Sequence, residues 1–436
     1  MEFKVTIKKR TQNEYIVLFM FLLPFFLGLL IDLIGLPSLV RYTIDIAWVF
    51  LLFTMVVKKV GGKIGPKNLL IWSIAFFLYT LVIYVPNYES AFYYLWGLRN
   101  NFRFYVFFFA CIIYLNSKDI EKYLKWFDRI FYVNAVVVII QYFVLQYEQD
   151  HLGGIFGTGK GCNGYINIFM VIVITKSILY FLHKKENTVS CVVKCLIALV
   201  IAALAELKFF YVEFALIVFL LVLITRFSLR KLFISIVSVV GLVVGIFLLI
   251  YLFPEFKETM TIEGMYESAT SEQGYTSKED LNRLTTFQMT TERFLKTTKE
   301  RMFGLGLGNC DYAEGYDFLT TPFYNRYKDL HYVWFSTSFV LVEMGIIGLI
   351  FFIGFFVLLF VEAQFRKKNY PEKRLYCQMT QVLSVLCILS AIYNSSLRVE
   401  AAYMMYFVLA IPFVNDGKKK RVEIKDDKEN YQKNCI

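Results

Sequence analysis

Apolar runs of about 17 to 25 residues recur along almost the whole chain, and at about 1.5 Å rise per residue each can cross a hydrocarbon core of about 30 Å. Twelve stand out, at residues 15–33, 38–57, 68–85, 102–116, 130–147, 163–182, 191–205, 210–225, 232–253, 335–361, 375–394 and 400–415. They predict an all-α integral membrane protein of about 12 transmembrane helices with one large extracytoplasmic loop. That polar loop, residues 254–334, separates helices one to nine (1–253) from helices ten to twelve (335–415), and a charged tail (416–436) follows.

The composition agrees, with 58% hydrophobic residues, 18% aromatics and a mean hydropathy of +0.55, which excludes a soluble globular domain. Lys and Arg gather in every second connection: Lys4 to Arg10, Lys58 to Lys67, Lys118 to Arg129, Lys184 and Lys185, Arg226 to Lys231, Arg366 to Arg374, then the tail. Short cytoplasmic loops retain such residues, so both termini are expected in the cytoplasm of a multi-pass protein of the cytoplasmic membrane. The net charge of +11 is mostly this topology signal and implies no nucleic acid. The first apolar run lacks a clear small-residue cleavage site and reads as a retained helix. The tail reads as disordered, able to contact anionic lipid or a partner protein.

Eight cysteines carry no spacing signature; only Cys162 and Cys310 fall near the outer face, where a disulfide is possible without being argued for. The three histidines are too scattered for a zinc site, so no metal and no cofactor are expected.

Basic residues on the outer side go against the positive-inside bias and so attract attention: Arg41, Arg99, Arg103, Lys160, Lys208 and Arg398. Arg99 and Arg103 are four residues apart and share a helix face, which suits a phosphate or, equally, snorkelling at the interface. Lys208 sits with Glu206 in a short turn, either as a local ion pair or facing an outward cavity. Glu213 and Glu343 fall in outer parts of spans and Lys176 lies deeper, where a structural partner is expected. Lys160 belongs to GGIFGTGKGCNG (153–164), whose backbone can present amide donors to an anion or simply form a compact turn.

The long loop has two halves. Residues 254–280 are acidic and polar and read as a lid or irregular surface. From Ser277, a capping box with Asp280 and apolar residues Leu284, Phe287, Phe294, Leu295 and Met302 predict one amphipathic helix ending at Gly304. Arg293, Lys296, Lys299 and Arg301 on it suit a pyrophosphate, or make a solvated polar face. GLGLGN (304–309) follows, then His331 beside Asp329, a histidine that is either structural or a proton acceptor for a hydroxyl.

This order, with EMGIIGL (343–349) next, resembles the family of O-antigen ligases and Wzy-type polysaccharide polymerases over most of the chain. Arg293 and Gly304, ten residues intervening, fit the RX10G pattern of such polymerases; GIFGTGKGCNGYINIFM and AELKFF are similar to segments of the family. The chain departs from the ligase pattern at Tyr332, where many relatives have asparagine. The resemblance implies transfer of an undecaprenyl-pyrophosphate-linked glycan onto an incoming lipid-linked repeat unit, in capsule, O-antigen or exopolysaccharide synthesis. It also implies a chain-length regulator and a flippase as partners. By it, His331, Arg293 and Arg301 are catalytic, and Arg99, Arg103, Lys160, Lys208, Glu206, Asn309 and Glu343 bind substrate, with Asp329 or Glu343 orienting His331. Rival readings are a ligase passing polymer to another acceptor, or a twelve-span transporter or flippase, against which stand the absence of an obvious repeat between halves and the large loop.

Overall fold

A computed structural model describes residues 11–59, 64–226, 228–254, 257, 263, 264, 266, 281–283 and 285–414. Every described element is helical. In chain order these are α1 (Gln12–Gly28), α2 (Thr43–Val57), α3 (Lys67–Tyr84), α4 (Ala91–Tyr114), α5 (Ile120–Phe143), α6 (Asn163–Leu182), α7 (Thr188–Leu204), α8 (Lys208–Ile224) and α9 (Leu229–Leu252). Then come α10 (Thr286–Phe294), α11 (Thr298–Phe303), α12 (Pro322–Tyr327), α13 (Ser336–Asn369), α14 (Arg374–Tyr393) and α15 (Ala402–Ala410). Each of the twelve predicted spans overlaps one of these helices.

Among the described residues, seven helices are long and apolar enough to cross a membrane: α1, α2 and α3 with their adjoining turns, α6, α9, α13 and α14 with its leading turn. The protein is thus a multi-pass membrane protein by its helices. The other five fall short for visible reasons. Charged residues lie within α4 and α5, α7 and α8 have 17 residues each, and α15 has only 9, about 14 Å of helix. Consistent with a lipid-facing rim, α9 exposes Ile236, Val240, Val243 and Phe247, whereas α6 and α15 are buried almost throughout.

The core is strongly aromatic. Phe21 stacks on Phe407 at 4.0 Å, and Phe104, Tyr105, Phe355 and Tyr406 interlock α4, α13 and α15. A polar lock joins α5, α6 and α7 at the end away from the large loop: Lys176 pairs with Asp128, and Lys194 bridges Asp128 (2.7 Å) and Glu186 (2.9 Å). The structural partner expected for Lys176 is therefore present. Buried charges are tolerated when paired in this way.

Residues 281–283 and 285–335 form a small second core against α13, with Leu281, Phe294, Leu295, Cys310, Tyr332 and Phe339 all buried. The single amphipathic helix predicted from Ser277 is corrected here. Ser277, Asp280 and Leu284 lie outside the described residues, and the rest is two helices. The chain breaks at Leu295, and α11 restarts under its own capping box, Thr297 Oγ1 accepting from Glu300 N (3.2 Å) and Glu300 Oε2 from Thr297 N (2.9 Å). The buried stripe of α10 is Thr286, Thr290 and Phe294, whereas Phe287 and Met302, expected inside, are exposed. Cys162 and Cys310 are both buried, free thiols.

Candidate functional site

The site begins with a break in α13. Gly345 has φ +64°, so the helix is interrupted, and the carbonyls before the break accept from elsewhere: Val342 O from Leu305 N (2.9 Å), Glu343 O from Gly306 N (2.9 Å) and Met344 O from the Tyr79 hydroxyl (2.6 Å). Freed carbonyls buried without partners are costly, and these three are all satisfied. The glycine loop fits the break because Gly304 and Gly345 approach backbone to backbone; a Cβ on Gly304 would lie 2.4 Å from Glu343 O, and one on Gly345 2.4 Å from Met302 O. Glu343 finishes the seating, its Oε1 accepting from Gly308 N (3.0 Å) and Cys310 N (3.4 Å).

That loop delivers Asp311 to α4 and to the connection between α14 and α15, where three arginines meet. Arg99 Nε donates to Asp45 Oδ1 (2.9 Å) and its Nη1 to Asn100 Oδ1 (2.6 Å), and the guanidinium lies over Trp96 (4.7 Å) and Tyr42 (5.2 Å). Asn100 in turn donates to Asp311 Oδ2 (2.6 Å), which is 3.9 Å from Arg398 Nη2. Arg398 covers the Phe339 ring at 3.3 Å, and its carbonyl accepts from Arg103 Nη2 (3.1 Å). Arg103 Nη1 donates to Glu400 Oε1 (3.1 Å), and the Tyr165 hydroxyl to Glu400 Oε2 (2.9 Å).

Arg103, Arg398, Asp311 and Glu400 are all nearly inaccessible. Burial pushes the Asp311 carboxyl up and the Arg398 guanidinium down, each against its partner's opposing charge. Glu400 is matched by Arg103, which it meets at 3.1 Å. In each arginine one buried donor has no hydrogen-bond partner, namely Arg99 Nη2, Arg103 Nε and Arg398 Nε. A buried unsatisfied donor costs roughly 1–3 kcal/mol, so three in one cluster call for an explanation.

The predicted site residues divide. Arg99, Arg103, Asn309 and Glu343 converge here, although two act differently from expectation. Asn309 Nδ2 donates to Asn87 O (2.7 Å) and Leu305 O (2.9 Å), holding the loop. Glu343 directs one carboxylate oxygen at loop amides, and the other, buried, has no hydrogen-bond partner, so it does not orient His331. His331 has a left-handed backbone (φ 55°) and stacks on Trp334 at 3.8 Å; its neighbour Tyr332 donates to Cys310 O and lies against Phe339, beneath Arg398. Arg293 is half-buried on α10, and the exposed Arg301 donates from Nε to Leu295 O (3.1 Å) across the α10–α11 break.

Lys208 and Glu206 form a half-exposed ion pair at 3.1 Å, the local alternative. Lys160 is exposed on its turn. The glycine loop around it is not an open nest of amide donors. Gly154 N donates to Gln141 Oε1 (2.7 Å), Ile155 N to Asn134 Oδ1 (2.9 Å) and Thr158 N to Asp32 Oδ2 (2.5 Å), so carboxamides and a carboxylate already occupy it, and the compact-turn alternative holds. Glu213 is buried and accepts from Asn167 Nδ2 (2.7 Å).

Sequence reasoning missed Asp45, Asp311 and Glu400, and noted Arg398 without using it. The signal was there for Glu400, an acid flanked by an apolar run in SLRVEAAYMM. No protein-family model matches the chain, and no curated protein matches it significantly.

Proposed function

We propose that this protein is a glycosyltransferase of the polysaccharide-polymerase type, moving a glycan from one polyprenyl pyrophosphate to the sugar of an incoming lipid-linked repeat unit at the outer face of the cytoplasmic membrane. One observation carries the reading: three arginines of low accessibility gathered in one cluster, each with a buried donor that has no hydrogen-bond partner. A pyrophosphate supplies acceptors for such donors, and guanidinium forks suit its oxygens. As the glycosidic bond to phosphate breaks, negative charge grows on the leaving pyrophosphate, and fixed cations in a dry site stabilise that charge without reorganising.

Arg99, Arg103 and Arg398 would hold the leaving group. Arg398 is the loosest of them, 3.9 Å from Asp311, and Asp311 is the carboxyl that burial pushes toward its neutral form, so this pair is the one that yields to an anion. His331, one residue from the Tyr332 wall of the cluster, would take the proton of the attacking hydroxyl. Arg293 and Arg301 on α10 and α11 would guide the anionic headgroups inward. The membrane lipid itself brings both substrates, and a flippase and a chain-length regulator would be the protein partners.

The test is glycan analysis in the native host with the gene deleted and restored as wild type, Arg398→Gln or Arg398→Lys, at equal membrane abundance. Accumulation of lipid-linked single repeats with loss of long polymer is expected for the deletion and for Arg398→Gln. Unchanged polymer with Arg398→Gln would remove the pyrophosphate role. Polymer retained on its carrier in the deletion would indicate a ligase instead, and repeats trapped on the cytoplasmic side a flippase.

A further inference from the structure

We infer that an aromatic shelf beside the arginine cluster binds the sugar rings of the glycan, a subsite that rests on the polymerase reading for its ligand. Phe92, Trp96, Arg99 and Arg103 stand at spacings of four, three and four along α4, and so form one stripe. Exposure falls steeply along it, from 63% at Phe92 to 2% at Arg103. Aromatic surface thus gives way to buried guanidinium on a single helix face.

Three further rings close the shelf from other elements. Tyr42 lies 6.1 Å from Trp96 and 5.7 Å from Tyr316; Phe318 lies 6.0 Å from Tyr316 and 6.3 Å from Phe92. The Trp96 indole donates to Tyr312 O (3.0 Å), pinning the connector that carries Tyr316 and Phe318. Phe92 and Phe318 are each 63% exposed, so the outer rings are open to a partner, while Tyr42, Trp96 and Tyr316 are half-buried.

The chemistry favours a sugar. A pyranose has a face of C–H bonds, which rests on the electron-rich face of an aromatic ring, and a rim of hydroxyls, which needs hydrogen bonds. The rim here is polar: Arg41 and Glu314 pair at 3.3 Å beside Tyr42 and Tyr316, and Asp317 is exposed between Tyr316 and Phe318. Continuity decides the rest, because Arg99 lies over both Trp96 and Tyr42 and is also the first arginine of the cluster. A sugar on the shelf therefore has its phosphate end at Arg99.

The experiment uses the full-length chain in detergent and the host's own repeat-unit oligosaccharide, released from lipid and phosphate by mild acid, observed by saturation-transfer NMR. Transfer to ring C–H protons is expected with wild type. The double variant Tyr316→Ala/Phe318→Ala, on an exposed connector and checked for an unchanged thermal midpoint, should bind about tenfold more weakly or worse. No transfer with wild type, or equal transfer with the variant, overturns the shelf; so does a variant whose only defect is lower membrane yield. Because the probe lacks pyrophosphate, its binding is independent of the Arg398→Gln polymer assay, and failure of one reading is separable from failure of the other.

Discussion

Gly304→Ala tests the seating of the glycine loop against the broken helix, with Gly315→Ala as the comparison at an open position. Both glycines have positive φ, +74° and +80°, where alanine is strained, and Gly304 also has ψ −169°, a region essentially closed to other residues, so backbone strain alone costs on the order of 1–3 kcal/mol there. Their surroundings differ. A Cβ at Gly315 meets nothing within 4 Å, whereas at Gly304 it falls 2.4 Å from the Glu343 carbonyl and the Met344 nitrogen, which are backbone and cannot rotate away. Forcing that overlap costs about 1–3 kcal/mol more and stretches the Leu305 and Gly306 bonds to α13. Heat unfolding of the detergent-purified chain, followed by tryptophan fluorescence, should therefore place Gly304→Ala clearly below Gly315→Ala. In the host, Gly304→Ala should also lose polymer, because the displaced loop carries Asp311 away from Arg398. Equal thermal midpoints for the two variants would refute the close packing and with it the reason for glycine at 304.

Three further outcomes are expected. Glu400→Gln leaves Arg103 buried against a neutral partner and should destabilise the protein by about 3–5 kcal/mol at pH 7. Thermal unfolding of the detergent-purified variant beside wild type checks this, and an unchanged midpoint would refute the buried pairing. Lys208→Ala removes a half-exposed pair and should change stability by less than about 1 kcal/mol, a larger loss indicating a role beyond the pair with Glu206. His331→Ala should abolish polymer while leaving binding of inorganic pyrophosphate, measured by calorimetry, within about twofold; loss of both would mean that His331 builds the anion site instead of serving the acceptor.

The fold was legible where composition alone decides. Runs such as 232–253 and 335–361 leave the chain no alternative to a membrane helix, and α9 and α13 lie there. Ends were less legible where a helix has partners distant in sequence. The run 102–116 predicts a span that begins after Arg99, yet α4 starts at Ala91, because its first turns are polar or aromatic for the sake of Tyr312, Asp311 and Asp45, partners distant in sequence. The break between α10 and α11 was written in Thr297 and Glu300, but a roughly periodic set of apolar residues outweighed it, and two of that set, Phe287 and Met302, are exposed.

The site was half legible for a related reason. Arginines on the unexpected side of a membrane protein stand out against the positive-inside bias, Arg99 and Arg103 among them. Their carboxylates carry no such bias. Asp45, Asp311 and Glu400 are recognisable only once the fold brings 45, 99, 311 and 400 together, and the same closure converts Glu343 from a candidate orienter of His331 into the residue that seats Gly308 and Cys310. The pairing also explains how three guanidinium groups survive at low accessibility: each cation is balanced, Arg99 by Asp45, Arg103 by Glu400 and Arg398 by Asp311, while geometry leaves one donor on each unused. Closing those donors would gain roughly 1–3 kcal/mol each, and the proposed pyrophosphate would supply that closure on binding.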